Sequence, residues 1–343
     1  MTSGKADKNA PEAGKPPLIF SVARANRVTA LLAIPATTRI SPRGSVWRSR
    51  MSPLPIIVLS LFTSPWADTV ISFDEGIGGS PGYNSPTTAI GEPSRFTGED
   101  IWPGVVSPFN APWLPEEIVS MGSSGSLVIS FDEPVVDDPA NPWGIDLIVF
   151  GNTGCIDNSY PNGVVGGLFS DDGGLIEVSA NGKQWFEITT SLADGLWPTR
   201  GFIDSQPYDD VEGTQPSDFT MPVDPRLTLD DVMGLANDEL MSLYRTSGGG
   251  APIDLAETGL SEILYVRISV SESSKLSVEI DGMADVNPQI IGDVDVNGVV
   301  DVQDLLALIA SFGPLEVGGP LADFNGDFIV DVSDLLALIG NWS

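Results

Sequence analysis

The sequence predicts a mainly β chain, a β-sandwich of jelly-roll type followed by a small all-α module. Three observations carry this. Gly and Pro, 37 and 28 of 343 residues, supply turns for many short strands. Between about Asp68 and Asn287, apolar residues recur with period two in short runs. Beyond Gly292 that alternation gives way to two acidic loops, each leading into the apolar helical run DLLALI. Hydrophobic content of 42% against 18% charged residues suits a packed core rather than a disordered chain. The length suits two domains at roughly 100 to 200 residues each.

Three segments follow in order. Residues 1–67 form a leader region, with nine of the sixteen basic side chains in the first fifty residues against Asp7 and Glu12 alone. From Met51, the sequence MSPLPIIVLSLFTSPWAD offers an apolar run from Pro53 to Phe62 that is too short to span a bilayer and matches the core of a secretory signal. Met51 therefore reads as a start site and the mature chain as beginning near Asp68. A buried N-terminal strand is the alternative.

Beyond residue 50, seven basic side chains face 45 acidic ones. Such a surface repels nucleic acid and anionic lipid, and it favours cations. Histidine is absent and Cys155 is the sole cysteine, so histidine triads, histidine metal ligands and internal disulfides are excluded. Cys155, in GNTGCIDNSY, reads as a space-filler without a base to activate it.

Residues 68–287 hold the strands. SLVISFDEPVV (126–136), GIDLIVFGN (144–152), LIEVSANGKQWFEI (175–188), ILYVRISV (263–270) and LSVEIDGMADV (276–286) all have strand character. Asn181-Gly182 predicts a two-residue type I′ hairpin turn. Thr228 predicts the N-cap of one helical insertion, LDDVMGLANDELMSLY, that stops at Ser247-Gly248-Gly249-Gly250. Trp102, Trp113 and Trp143, in WPG, APW and NPW settings, are candidate sugar-stacking platforms; anchoring of Pro-rich loops is the other reading. The pairs Asp137-Asp138, Asp171-Asp172, Asp209-Asp210 and Asp230-Asp231 read as solvated loops or caps, although glycosidases also use paired carboxylates. Through SLVISFDEPVVDD, GIDLIVFGN, IEVSANGKQWFEI, GGGAPIDLA and LYVRISV, the segment resembles the galactose-binding or discoidin-like β-sandwich modules of secreted and cell-surface proteins. That resemblance implies a binding or surface domain rather than an enzyme.

Residues 288–343 carry the most specific pattern. Counting twelve positions from Asp293 places oxygen donors at 1, 3, 5, 9 and 12 as Asp293, Asp295, Asn297, Asp301 and Asp304, with Gly298 at 6 and the Val299 carbonyl at 7. The second copy gives Asp323, Asn325, Asp327, Asp331 and Asp334, with Ile329 at 7. This is a calcium-loop spacing, and a donor set free of sulfur and imidazole favours Ca²⁺ over transition metals, one ion per loop. Pro and Gly precede both loops, so each has an exiting helix and no entering one.

A duplicated loop-plus-helix of this kind resembles a type I dockerin. The resemblance implies calcium ligation by Asp293, Asp295, Asn297, Val299, Asp301, Asp304, Asp323, Asn325, Asp327, Ile329, Asp331 and Asp334. It also implies partner reading by Val302, Gln303, Val332 and Ser333, and a cohesin-type module as the partner. Phe328 stands at position 6 of the second loop in place of Gly, which weakens that site. The expectation is a secreted or cell-surface, calcium-dependent docking protein whose sandwich binds a polysaccharide or surface glycan. The alternative is a secreted glycoside hydrolase carried by the same module.

Overall fold

The computed structural model of the chain describes residues 64–99, 103–288, 290–314, 319, 321–324 and 329–343. All of them belong to one compact unit, residues 60–343. The expected leader up to residue 63, Trp102, Asn325 and Asp327 lie outside the described residues. Among the described residues strand outweighs helix, 31% to 15%, so the fold is mainly β. No helix among the described residues is long and apolar enough to cross a membrane.

The largest sheet has five antiparallel strands in the order Thr69–Asp74, Ser126–Val136, Glu262–Ser269, Gly174–Ser179, Phe186–Ala193. A three-stranded sheet runs Ala251–Ile253, Leu147–Phe150, Gly282–Asp285, and Val119–Met121 pairs with Val278–Ile280. The main core takes side chains from all three sheets. Leu127, Ile129, Ile176, Val178, Val266 and Ile268 come from the five-stranded sheet, Leu147, Val149 and Met283 from the three-stranded one, and Met121, Val278 and Ile280 from the pair. Packing of sheet faces around one core is the arrangement expected of a sandwich.

The run Leu147–Phe150 shows how period two divides a continuous apolar stretch. Leu147 and Val149 face the main core, while Ile148 and Phe150 face a second cluster with Ile145, Phe219, Ala284 and Val286. The strand is buried on both faces, so no polar residue interrupts it. Trp66 packs edge-on against Phe219, and the Ala67 amide donates to the Met283 carbonyl at 3.1 Å.

Two local expectations are corrected. Strands Gly174–Ser179 and Phe186–Ala193 do form a hairpin, but residues 180–185 separate them. Ser179 Oγ accepts from the amides of Asn181 and Gly182, and Asn181 Oδ1 accepts from those of Lys183 and Gln184. These side-chain bonds cap a longer turn, with Gly182 alone of the pair at positive φ, in place of a type I′ turn. The helical insertion is two helices, Leu229–Val232 and Asn237–Tyr244, because Gly234 adopts φ +84° between them. Thr228 does open the first: its amide donates to Asp231 Oδ2 at 2.8 Å. Tyr244, buried with its hydroxyl donating to the Pro198 carbonyl at 2.8 Å, anchors a third cluster that also encloses Cys155. Burial pushes the Cys155 thiol up to about 12, so it carries no thiolate at neutral pH.

Between Val278–Ile280 and Gly282–Asp285 lies Asp281, 2% exposed, whose carboxylate accepts from Ser94 N and Ser94 Oγ, both at 2.8 Å. Burial pushes its carboxyl up to about 7. The folded state therefore keeps a proton that the unfolded chain releases near 3.8, and this group's contribution to stability falls as pH rises through that window. An interval of that size corresponds to about 4 kcal/mol at full ionisation. Asp281→Asn keeps an acceptor for the Ser94 amide and removes the titration. Thermal unfolding followed from pH 5 to 8 should show the parent losing stability relative to the variant as pH rises; parallel profiles would contradict the assignment.

Candidate metal centre

The two acidic loops of the C-terminal segment are built alike. Each opens a nine-residue helix, Val302–Ala310 and Val332–Gly340, whose N-cap is an Asp. Asp301 Oδ1 accepts from the Gln303 amide at 2.7 Å, and Asp331 Oδ1 from the Ser333 amide at 2.6 Å. Position 12 then reaches back. Asp304 Oδ2 accepts from the Asp301 amide and Oδ1 from the Val294 amide, both at 2.8 Å. Asp334 repeats this with Asp331 at 2.9 Å and Phe324 at 2.8 Å. Both carboxylates are fully buried.

Within the first loop, Asp293 accepts from the amides of Asn297 and Gly298, and Asn297 Oδ1 accepts from the Val299 amide. Gly298 sits at φ +86°, the turn for which position 6 needs glycine. These bonds fold the loop inward, so that Asp293, Asp295 and Asp304 each bring an oxygen within 4.8 Å of the others. Asp301, engaged as the helix cap, is outside that group. Burial raises the Asp293 carboxyl above its ordinary range, with the Asp304 and Asp295 charges adding to the effect. In the second loop, Asp323, Ile329, Asp331 and Asp334 are placed at the matching positions, and the Arg226 guanidinium senses the Asp323 charge.

The repeats also clamp each other. Gly313, just past the first helix, pairs with Val330 at position 8 of the second loop. Ser343, just past the second helix, donates its amide to the carbonyl of Val300, position 8 of the first loop, at 3.2 Å. Thirty residues separate both members of this exchange. Val294, Val300, Leu308, Ala322, Val330 and Leu338 form the small core between the repeats.

The other face of each helix is uncovered. Val302, Leu306 and Ile309 are exposed on the first and Val332, Leu336 and Ile339 on the second, with Leu306 at 62% and Leu336 at 63%. Gln303 and Ser333 share that exposure. Phe312 and Trp342 extend the two stripes.

Two further carboxylate groups lie in the sandwich, each including one member of an Asp pair singled out above: Asp137, Asp146 and Asp254, and Asp172, Asp194 and Glu279. Sequence spacing gave no sign of either, because their members are dispersed along the chain. Asp194 accepts from Asn152 N, Thr153 N and Thr153 Oγ1, and Glu279 accepts from Ser120 Oγ at 2.7 Å. Burial raises both carboxyls. Carboxylates about 5 Å apart repel by about 3 kcal/mol at an effective dielectric near 20, so each group gains from a proton or a cation.

Of the aromatic candidates, Trp113 is exposed and fixed by its backbone, its amide donating to Glu117 Oε2 at 3.0 Å and its carbonyl accepting from Tyr83 Oη at 2.7 Å. Trp143 packs against the cluster around Phe219. No family model matches the chain, and no curated protein matches it either.

Position 12 and position 3 should respond oppositely when no metal is present. Asp304→Ala strands the amides of Val294 and Asp301 and is expected to cost about 1 to 3 kcal/mol. Asp295→Asn relieves repulsion at little hydrogen-bonding cost and should stabilise. Chemical denaturation of the full chain in chelator, read by far-ultraviolet circular dichroism of the helices, distinguishes the two; equal losses would contradict this account of the loop.

Proposed function

We propose that this chain is a secreted or cell-surface docking protein. In this reading, residues 288–343 form a dockerin-like module that binds two Ca²⁺ ions and tethers a jelly-roll-type sandwich, residues 68–287, to a cohesin-type partner. The sandwich is the binding part, directed at a carbohydrate or a surface glycan, with the exposed Trp113 as an aromatic platform. The observation that carries this reading is the duplication. Burial is the same at all ten positions of 301–310 and 331–340, and each repeat leaves an apolar stripe beside its loop.

The donor set fits Ca²⁺. Asp293, Asp295 and Asp304 converge with oxygen atoms only, as a hard cation of flexible coordination prefers. A bound ion supplies the positive charge that offsets the repulsion among Asp293, Asp295 and Asp304 and reinforces the closure that Asp304 already makes. Coupling of metal to folding is expected in so small a core. The stripes support the docking half of the proposal, because exposed apolar patches of this kind mark protein contacts.

The test is capture of a cohesin module from the organism's secreted fraction by the full chain, in calcium and in chelator. Capture is expected in calcium alone. Leu306→Glu together with Leu336→Glu should abolish it while leaving calcium binding intact, since both side chains point away from the loops and the core. Capture that persists in chelator, or that survives both substitutions, would exclude this surface as the docking face. Separately, Asp304→Ala should weaken calcium binding by more than Asp301→Ala, because position 9 often binds through water; calorimetry measures the order.

A further inference from the structure

Three carboxylates from distant segments gather at the ends of strands from two of the sheets. Asp137 follows strand Ser126–Val136, Asp146 precedes strand Leu147–Phe150, and Asp254 follows strand Ala251–Ile253. Ile253 and Leu147 are partners in register, which sets Asp254 and Asp146 side by side. The Asp137 amide donates to the Ser261 carbonyl at 3.1 Å, tying the third carboxylate to the same end. An oxygen from each of the three lies within 4.8 Å of the others.

Asp146 is fully buried, and its carboxylate accepts from Asp138 N, Asn141 Nδ2 and Leu255 N, each at 2.9 Å. Those bonds orient it without neutralising it. The ion pairs Arg95–Glu92, Arg226–Asp224 and Arg267–Glu177 all lie elsewhere. Asn141 is 95% buried; its Nδ2 is the arm that donates to Asp146, and its Oδ1, on the same amide, accepts no hydrogen bond. A buried amide oxygen without a donor is costly unless something positive faces it. Asp137 and Asp254 are only partly buried, which leaves the group open to solvent ions.

We propose that Asp137, Asp146, Asp254 and the side-chain oxygen of Asn141 bind a Ca²⁺ ion that pins the end of the five-stranded sheet to the three-stranded one. The four donors are hard oxygens from three chain segments, an irregular set that suits Ca²⁺ better than the strict octahedron of Mg²⁺. This site is independent of the C-terminal loops.

The test separates it from them. In the full chain carrying Asp293→Ala, Asp295→Ala, Asp323→Ala and Asp327→Ala, calcium is counted by equilibrium dialysis, and the melting of the β signal is compared in calcium and in chelator. One Ca²⁺ per chain should remain, with a higher melting temperature in calcium. Adding Asp137→Asn and Asp254→Asn should remove that ion, and Asn141→Ala, which leaves every charge in place, should weaken its binding about tenfold. No calcium retained by the loop-disabled chain overturns the proposal, whatever the folding of the later variants; so does an ion that the later substitutions leave unchanged. If the loops themselves bind nothing, the parent and the loop-disabled chain give equal counts, and the sandwich site is judged on its own.

Discussion

Carboxylates buried beside backbone amides, with few cations to balance them, are the constraint around which this protein is built. Asp281 holds Ser94, Asp194 holds Asn152 and Thr153, Asp146 holds Asp138 and Leu255, and Asp304 and Asp334 close the two terminal loops. In each case the acid supplies acceptors that loop amides would otherwise lack. Charge-assisted bonds of this type are strong and directional, so they fix irregular segments that no ladder reaches. The accompanying penalty is desolvation, visible in the raised Asp146, Asp281 and Asp285 carboxyls, at about 6, 7 and 7.

That penalty can be relieved in two ways, and the molecule provides for both. Asp281 is enclosed, and the Glu117 charge adds to its desolvation, so protonation is the available relief. Asp293, Asp295 and Asp304, and likewise Asp137, Asp146 and Asp254, are clustered and reach solvent through at least one member, so a divalent cation can serve several charges at once. In the tethering function proposed above, an ion that neutralised a loop would also fix the helix that presents Leu306 or Leu336.

The terminal segment was the most legible part of the sequence. Its acidic side chains lie close together in the sequence, so spacing alone brings Asp293, Asp295 and Asp304 into one group, and the repeat at thirty residues gives Asp304 and Asp334 equivalent amide partners. Strands were legible for a similar reason: alternation in SLVISFDEPVV is a local signature, and the observed strand spans the same eleven residues. Asn181-Gly182 and the 229–244 helix were read with the wrong local geometry. In the first, side-chain acceptors outcompeted the tight turn; in the second, Gly234 took a positive φ that periodicity does not register.

What the tertiary structure alone decided is which distant residues meet. Asp146 and Asp254 are 108 positions apart, and only the Ile253–Leu147 register brings them together. The two-faced burial of Leu147–Phe150 likewise depends on Phe219 arriving from another segment. By itself, the sequence determined the strand periodicity, the acidic surface and the two acidic loops, because each is written in neighbouring residues. The sandwich carboxylate groups and the clamp of each terminal repeat on the other required the fold, because their partners are joined by packing and not by spacing.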